Sequence, residues 1–427
     1  MITSPIKQTF TSRQIGVAVY AAIAAFATYA CIFSYRKAFT VATFDDLRFF
    51  GLPYQTLLII SQVFGYMLAK FYGIKFIAEL KRLARWKSIA LLVGWAWLAL
   101  FCFALTPPPY GMIFFFLNGF PLGLLWGIVF SYVEGRRTTD FIGAALAVSF
   151  IFSGGFSRSV AKWLILDWNV SEQWVAFATG LVFAVPLVIF VWLLERVPIP
   201  DAADIDKRTI RVPMTRADRK NFIATFGFGI VVVTITYLFL TIIRELRDSF
   251  MANIWNELGY GSDYSIFTKT ETPTFLLVLL LISLLVFVQK NGLAFRIIHW
   301  VIIAGFFLAG ISSWMFVNGH AGPVTWMSLV GLGLYMAYIP FNCVFFERMI
   351  ATFGIAGNVG FLIYIADSFG YLGSVSVMLV KEFSGVAVKW SVFYPNMVVW
   401  FSIIGVAGSL VSLYYFTRKE NSLRTVN

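Results

Sequence analysis

Long apolar stretches broken by short polar ones run the whole length of the chain. Windows with few charges recur at roughly 14–43, 54–78, 87–106, 109–133, 138–165, 174–194, 221–251, 272–288, 297–317, 324–346, 355–381 and 390–416. They are 17 to 31 residues long, and about 20 suffice to cross a hydrocarbon core of ~30 Å as an α-helix. Pro107-Pro108-Pro109 parts the third stretch from the fourth, because proline cannot continue a helix without losing a hydrogen bond. Asn318-Gly319-His320-Ala321-Gly322-Pro323 parts the ninth from the tenth in the same way. The pattern predicts an all-α integral membrane protein with twelve transmembrane helices. The one polar segment of any length, Glu195 to Lys220, holds Pro198, Pro200, Pro213 and alternating charges. It divides the spans into an N-terminal six-helix bundle over 1–194 and a C-terminal one over 221–427. The expected linker, 195–220, is cytoplasmic, with a short surface helix from Thr215.

Composition agrees with this reading. Hydrophobic residues make up 59% of the chain and charged residues 13%, with a mean hydropathy of +0.81. A soluble protein of this size could not hide that much apolar surface. The first apolar stretch begins near Ile15 and is too long for the core of a signal peptide. Cys31, Cys102 and Cys343 are scattered through the spans and read as small hydrophobes, with neither a disulfide framework nor a metal site.

The net charge of +12 is topological. Lys and Arg crowd the connections on one side: Lys81, Arg82, Arg85 and Lys87, then Arg136 and Arg137, the run from Arg196 to Lys220, Lys290, Arg296, Arg348, and Arg418 to Arg424. The other side carries only Arg48, Lys269, Lys381 and Lys389. The positive-inside rule therefore places both termini in the cytoplasm, with the protein in the plasma (inner) membrane. No nucleic-acid partner is expected, only the lipid bilayer and a solute, and a monomer is the expected state.

The two halves resemble each other. A shift of 211 residues lays Arg36-Lys37-Ala38-Phe39 on Arg247-Asp248-Ser249-Phe250. The fourth span ends in Tyr132-Val133-Glu134-Gly135-Arg136-Arg137 and the tenth in Phe346-Glu347-Arg348. Glu134 with Arg136, and Glu347 with Arg348, are candidate elements of a conformational latch; the alternative is ordinary charge snorkelling at span ends. Gly119, Gly123 and Gly127 recur every fourth residue and favour close helix packing.

Charges inside the spans carry the chemistry, since an arginine at membrane depth costs several kcal/mol unless it faces a partner or a watery cavity. Arg36 is expected to face a ligand, and its neighbour Lys37 to snorkel to the outer headgroups. In the seventh span Arg244 and Arg247 share a face, and Arg244 with Asp248 forms an i,i+4 pair. Glu245 can pair with Arg247 or serve as a proton site. Arg158 lies well inside the fifth span, after Gly154-Gly155. Asp367, in the eleventh, reads as a lone acid in an otherwise uncharged core. It must take up a proton or pair with an arginine across the bundle.

A guanidinium offers two parallel hydrogen bonds to phosphate or carboxylate and stays charged at any relevant pH. No phosphate loop, metal-ligand cluster or nucleophile–base arrangement is present, so no enzyme activity, cofactor or metal is expected. His299 and His320 read as incidental.

Tyr29-Ala30, Arg36-Lys37, Phe39 and Ala42 resemble the first helix of the organophosphate–phosphate antiporter branch of the major facilitator superfamily, or a side branch of it. The resemblance implies the major facilitator fold and alternating access. It places the first substrate arginine on Arg36 and the second on Leu246-Arg247, with Arg244 as the alternative. The branch's histidine in the fifth helix is absent, and Arg158 lies in that region. The leading reading is a secondary active transporter of a small organic anion. Arg36, Arg247 or Arg244, and Arg158 would bind the solute, Asp367 and Glu245 would be the coupling sites, and the proton would be the coupling ion. Two other readings are a carrier of amphipathic lipid-like or peptide solutes, and a transport-incompetent sensor or assembly protein of the same fold.

Overall fold

The structure, a computed structural model, describes residues 12–45, 47–78, 85–133, 136, 138–199, 216–286, 288, 290–354, 359–384 and 388–426. Twelve long helices run up and down through them. The first six are α1 (Ser12–Lys37), α2 (Tyr54–Ala78), α3 (Arg85–Leu105), α4 (Gly111–Ser131), α5 (Thr139–Leu166) and α6 (Glu172–Glu195). The second six are α7 (Arg216–Glu257), α8 (Ile266–Val286), α9 (Asn291–Val317), α10 (Pro323–Pro340), α11 (Val359–Phe383) and α12 (Trp390–Val426). Nine of the twelve are long and apolar enough, by length and composition, to cross a membrane. The termini of α1 and α12 share one face, called here the near face; the opposite face is the far one.

Local chemistry sets the helix ends. Pro323 opens α10 after an extended Gly322, at a position where a missing N–H costs nothing. Glu172, in the first turn of α6, accepts the backbone N–H groups of Thr43 at 3.0 Å and Phe44 at 2.9 Å, which ties the turn after α1 to α6. After Pro340, α10 passes through one π-turn (Phe341–Phe345) into a last segment, Phe346–Phe353, that ends on left-handed Gly354. The helix expected from Thr215 is not separate. It is the start of α7, which runs to Glu257 with a kink at Phe250. Residues 200–215 of the linker, the 79–84 loop and Glu134 lie outside the described residues.

Packing repeats with a period of six helices. The α1–α5, α1–α6, α2–α4, α3–α4 and α3–α6 contacts are matched by α7–α11, α7–α12, α8–α10, α9–α10 and α9–α12. Gly119 and Gly123 let α4 lie directly on α2: a Cβ at Gly119 would come within 2.2 Å of the Gln62 carbonyl. The halves meet along two pseudo-equivalent seams, α5 on α8 and α2 on α11. The first is tight, with Ser159 and Thr268 hydroxyls at 2.7 Å.

Candidate functional site

The in-span charges gather along the seam between the halves and form one chain of contacts from the far side toward the near side. Lys37 comes from the end of α1, where a short 3-10 turn (Ala38–Val41) keeps the chain inside the bundle. Its Nζ donates to Glu245 Oε1 at 2.7 Å and to Ser249 Oγ at 3.1 Å. Arg36 Nη2 lies 3.9 Å from the same Glu245 oxygen, and Arg244 Nη2 lies 3.2 Å from Oε2. The Glu245 carboxylate thus lies among three cations, two from the opposite half. Lys37 is buried, so the expectation that it snorkels to headgroups is corrected. Continuing the helix as a 3-10 turn places it next to a carboxylate.

Asp248 anchors the far end of the chain. It accepts from Arg244 Nη1 at 3.2 Å and from the Tyr335 hydroxyl at 3.0 Å. Arg158 reaches it across the seam, donating to its backbone carbonyl with Nη2 3.9 Å from Oδ1, while Arg158 Nε donates to Thr40 Oγ1 at 3.2 Å. Arg247 turns the other way. Its Nη2 lies 2.7 Å from Glu271 Oε1 in α8 and donates to the Met327 carbonyl at 3.0 Å, inside the second half. Gly331 makes room for it, since a Cβ there would lie 2.6 Å from Nη2. Of the two candidates in α7, Arg244 therefore joins Arg36 beside Glu245, and Arg247 does not. The i,i+4 pairing of Arg244 with Asp248 is present; the pairing of Glu245 with Arg247 is replaced by pairs to Lys37 and Arg244.

Toward the near side, Asp367 of α11 takes hydrogen bonds from Lys70 of α2 and from the Tyr237 hydroxyl, which itself accepts from Asn342 at 3.2 Å. Its partner across the bundle is a lysine, not the arginine expected. Nor is Asp367 the lone acid of the core, because Glu245, Asp248 and Glu271 are buried as well.

A polar frame holds α1 in place. Gln62 donates to the Arg36 carbonyl at 3.0 Å and to Asn118 Oδ1 at 2.8 Å, and Asn118 donates to the Ala96 carbonyl at 3.0 Å. The Arg36 guanidinium lies over the Tyr66 ring, 3.8 Å from its centre. Among the described residues, several N–H groups of the cluster have no hydrogen-bond partner: Nε of Arg36, Arg244 and Arg247, and Nη1 of Arg247. Burying an N–H unpaired costs about 1–3 kcal/mol, a cost that structure seldom leaves unmet without reason. Among the described residues, Arg36, Lys37, Lys70, Arg158, Arg244 and Arg247 face Glu245, Asp248, Glu271 and Asp367, six cations to four carboxylates. The seam holds more cations than carboxylates.

Of the latch residues, Arg136 donates to the Pro198 carbonyl at the start of the linker, and Arg348 to Asn291 Oδ1 at 2.7 Å within its own half. Glu347 opens the last segment of α10. Lys70, Glu271 and the tyrosines were not singled out by sequence reasoning. Glu271 lies in Thr270-Glu271-Thr272-Pro273, at the expected start of the eighth span; α8 begins earlier, at Ile266, and carries Glu271 inside. His299 is buried between Phe295 and Ser412 of its own half, donating or accepting at 2.8 Å and 3.0 Å.

The architecture matches solved transporters. A D-xylose-proton symporter superposes with a TM-score of 0.62 at 15% identity, covering 92% of this chain and 97% of its own. The nucleoside transporter NupG gives 0.60 at 15%, covering 94% and 99%. A bacterial homologue of the human lysosomal transporter Spinster gives 0.58 at 13%, covering 95% and 97%. At these identities the likeness is one of fold, the major facilitator fold of two six-helix bundles. No curated protein matches the chain in sequence. A sequence family described as a family of unknown function, DUF5690, matches residues 38–419, and the chain, built on the major facilitator fold, belongs to that family.

Proposed function

We propose that this integral membrane protein is a secondary active transporter of a small organic anion, working by alternating access of its two halves. One observation carries the reading: among the described residues, the cations buried at the seam outnumber the carboxylates there, and several of their N–H groups have no hydrogen-bond partner. An unbalanced positive cluster at membrane depth is costly, and a bound anion balances it. Phosphorylated or carboxylated solutes fit the planar fork of arginine, in keeping with the likeness of the first helix to organophosphate–phosphate antiporters.

Glu245 has a defined part in this reading. Held by Lys37, Arg36 and Arg244, it acts as an internal anion that competes with the solute for these cations. An incoming carboxylate or phosphate exchanges with it at Arg36 and Arg244, with Arg158 as a third cation. Glu245, displaced from these cations, is the first coupling site. Asp367 is the second coupling site, because opening the near side separates it from Lys70. Opening the far side separates Arg158 from Asp248. The latch residues Glu134, Arg136, Glu347 and Arg348 would then hold the near ends of the halves together. In this reading the two bundles, 1–194 and 221–427, move as bodies about the linker 195–220. A monomer suffices, in an inner membrane with both termini cytoplasmic.

The test is a thermal-stability screen of the purified protein in lipid nanodiscs against phosphorylated and carboxylated metabolites. At least one anion should raise the melting temperature saturably, and Arg36→Gln should remove that rise. Stabilisation by neutral sugars or nucleosides alone, unaffected by Arg36→Gln, overturns the anion reading.

A further inference from the structure

Salt bridges explain how the seam pairs its charges, but they leave unexplained the tyrosines packed among them. Tyr66 of α2 and Tyr371 of α11 meet edge to face across the seam, ring centres 5.7 Å apart. Tyr237 stacks on Tyr338 at 5.6 Å beside them. All four are buried. The cations rest on these rings. Arg36 lies 3.8 Å over Tyr66, Arg244 lies 4.5 Å over Tyr338, and Lys70 is 5.3 Å and 5.2 Å from the Tyr66 and Tyr371 rings.

Leucine or phenylalanine would fill such a space in an ordinary helix interface. Here the ring faces serve as the counter-surface of cations that lack enough carboxylates. One face of the Arg36 guanidinium and one of Arg244 are thus taken by tyrosines, while the Nε of each has no hydrogen-bond partner among the described residues. An anionic group binds a guanidinium at its edge, in its plane. A solute held there carries its body over the same surface the guanidinium covers, and that surface is aromatic.

Resting on the anion-transport reading above, we propose that the solute is an anion built on an aromatic or equally flat ring. Its carboxylate or phosphate would engage Arg36 and Arg244, and its ring would part Tyr66 from Tyr371. Flat rings gain from offset or edge-on contact with tyrosine, which saturated rings of the same size do not.

Two matched pairs of probes test this: benzoate against cyclohexanecarboxylate, and phenyl phosphate against cyclohexyl phosphate. Each pair shares its charge and nearly its size, and differs in flatness. Titration calorimetry on the purified wild-type protein should give tighter binding of the aromatic member by roughly three- to tenfold, the ratio expected of one aromatic contact. Tyr371→Leu should bring the ratio toward one, Tyr371→Phe should keep it, and Arg36→Gln should abolish binding of both members. Equal affinities within each pair, with Arg36→Gln still abolishing both, overturn the ring proposal and leave the anion reading standing. If none of the four binds while an acyclic anion of the metabolite screen does, the ring proposal falls and the anion reading stands. The wild-type ratio needs no variant, so a poorly folding Tyr371→Leu does not remove the test.

Discussion

Lys37 of one half and Glu245 of the other meet at 2.7 Å in a buried place that neither charge could occupy alone. Arg36 and Arg244 complete the surround of the same carboxylate. A buried ion pair is weak evidence for stability, since apolar residues of similar volume often do as well. Its position across the seam of the two bundles is more informative, because the proposed alternating access would have to break it in each cycle. This makes Glu245 the natural competitor of an anionic solute.

Glu245→Gln therefore has two opposed effects. It leaves Lys37 and Arg244 without their carboxylate, which should destabilise the empty protein by about 3–5 kcal/mol. It also removes the internal competitor, so an anionic solute should stabilise the variant more than it stabilises the wild type. Melting curves in nanodiscs with and without benzoate or phenyl phosphate measure both. An unchanged melting point together with unchanged ligand response would show that Glu245 takes no part.

Arg36 and Arg247 should behave differently despite their matching places in the two repeats. Arg36→Lys keeps the charge and loses the fork, and a lost charged hydrogen bond costs about 1.5–3 kcal/mol, tenfold or more in affinity. Arg247→Gln leaves Glu271 buried without a counter-charge and should lower stability by about 3–5 kcal/mol while leaving anion affinity nearly unchanged. Calorimetric affinities and denaturation midpoints of the two variants separate these roles; the opposite assignment would follow if Arg247→Gln alone abolished binding.

The twelve spans and the seam arginines were legible because both rest on one large energy, the cost of placing polar groups in hydrocarbon. Arg36, Arg158 and Arg244 stood out in apolar runs and do meet at the seam. Partners were not legible, because nothing local links Lys70 to Asp367 across 297 residues of chain. Lys70 near a span end reads like any snorkelling lysine. Glu271 fell at the edge of its expected span, where threonines and Pro273 mimic a loop. Lys37 was misjudged because a 3-10 turn after Lys37, invisible in the pattern, keeps the chain inside. Tyr66 and Tyr371 carried no signal among so many aromatic residues; only their convergence across the seam marks them.

Asp367 and Lys70 link the halves toward the near face, so their coupling can be measured directly. Asp367→Asn alone should leave Lys70 uncompensated and destabilise the protein, and Lys70→Met should restore part of the loss, giving a coupling energy within the usual ~0.5–3 kcal/mol for contacting residues. In proteoliposomes Asp367→Asn should retain solute counterflow yet fail to accumulate solute on an imposed proton gradient. Full accumulation by this variant would remove Asp367 from proton coupling.

The central claim, that the seam cations bind and carry an organic anion, is tested most directly by counterflow. Proteoliposomes loaded with unlabelled benzoate or phenyl phosphate are diluted into the labelled compound at low concentration, and internal label is followed over time. The account predicts a transient overshoot of label with the wild type and none with Arg36→Gln reconstituted at the same density. An overshoot of equal size in both, or none with either compound in wild-type vesicles whose protein binds them, would contradict it.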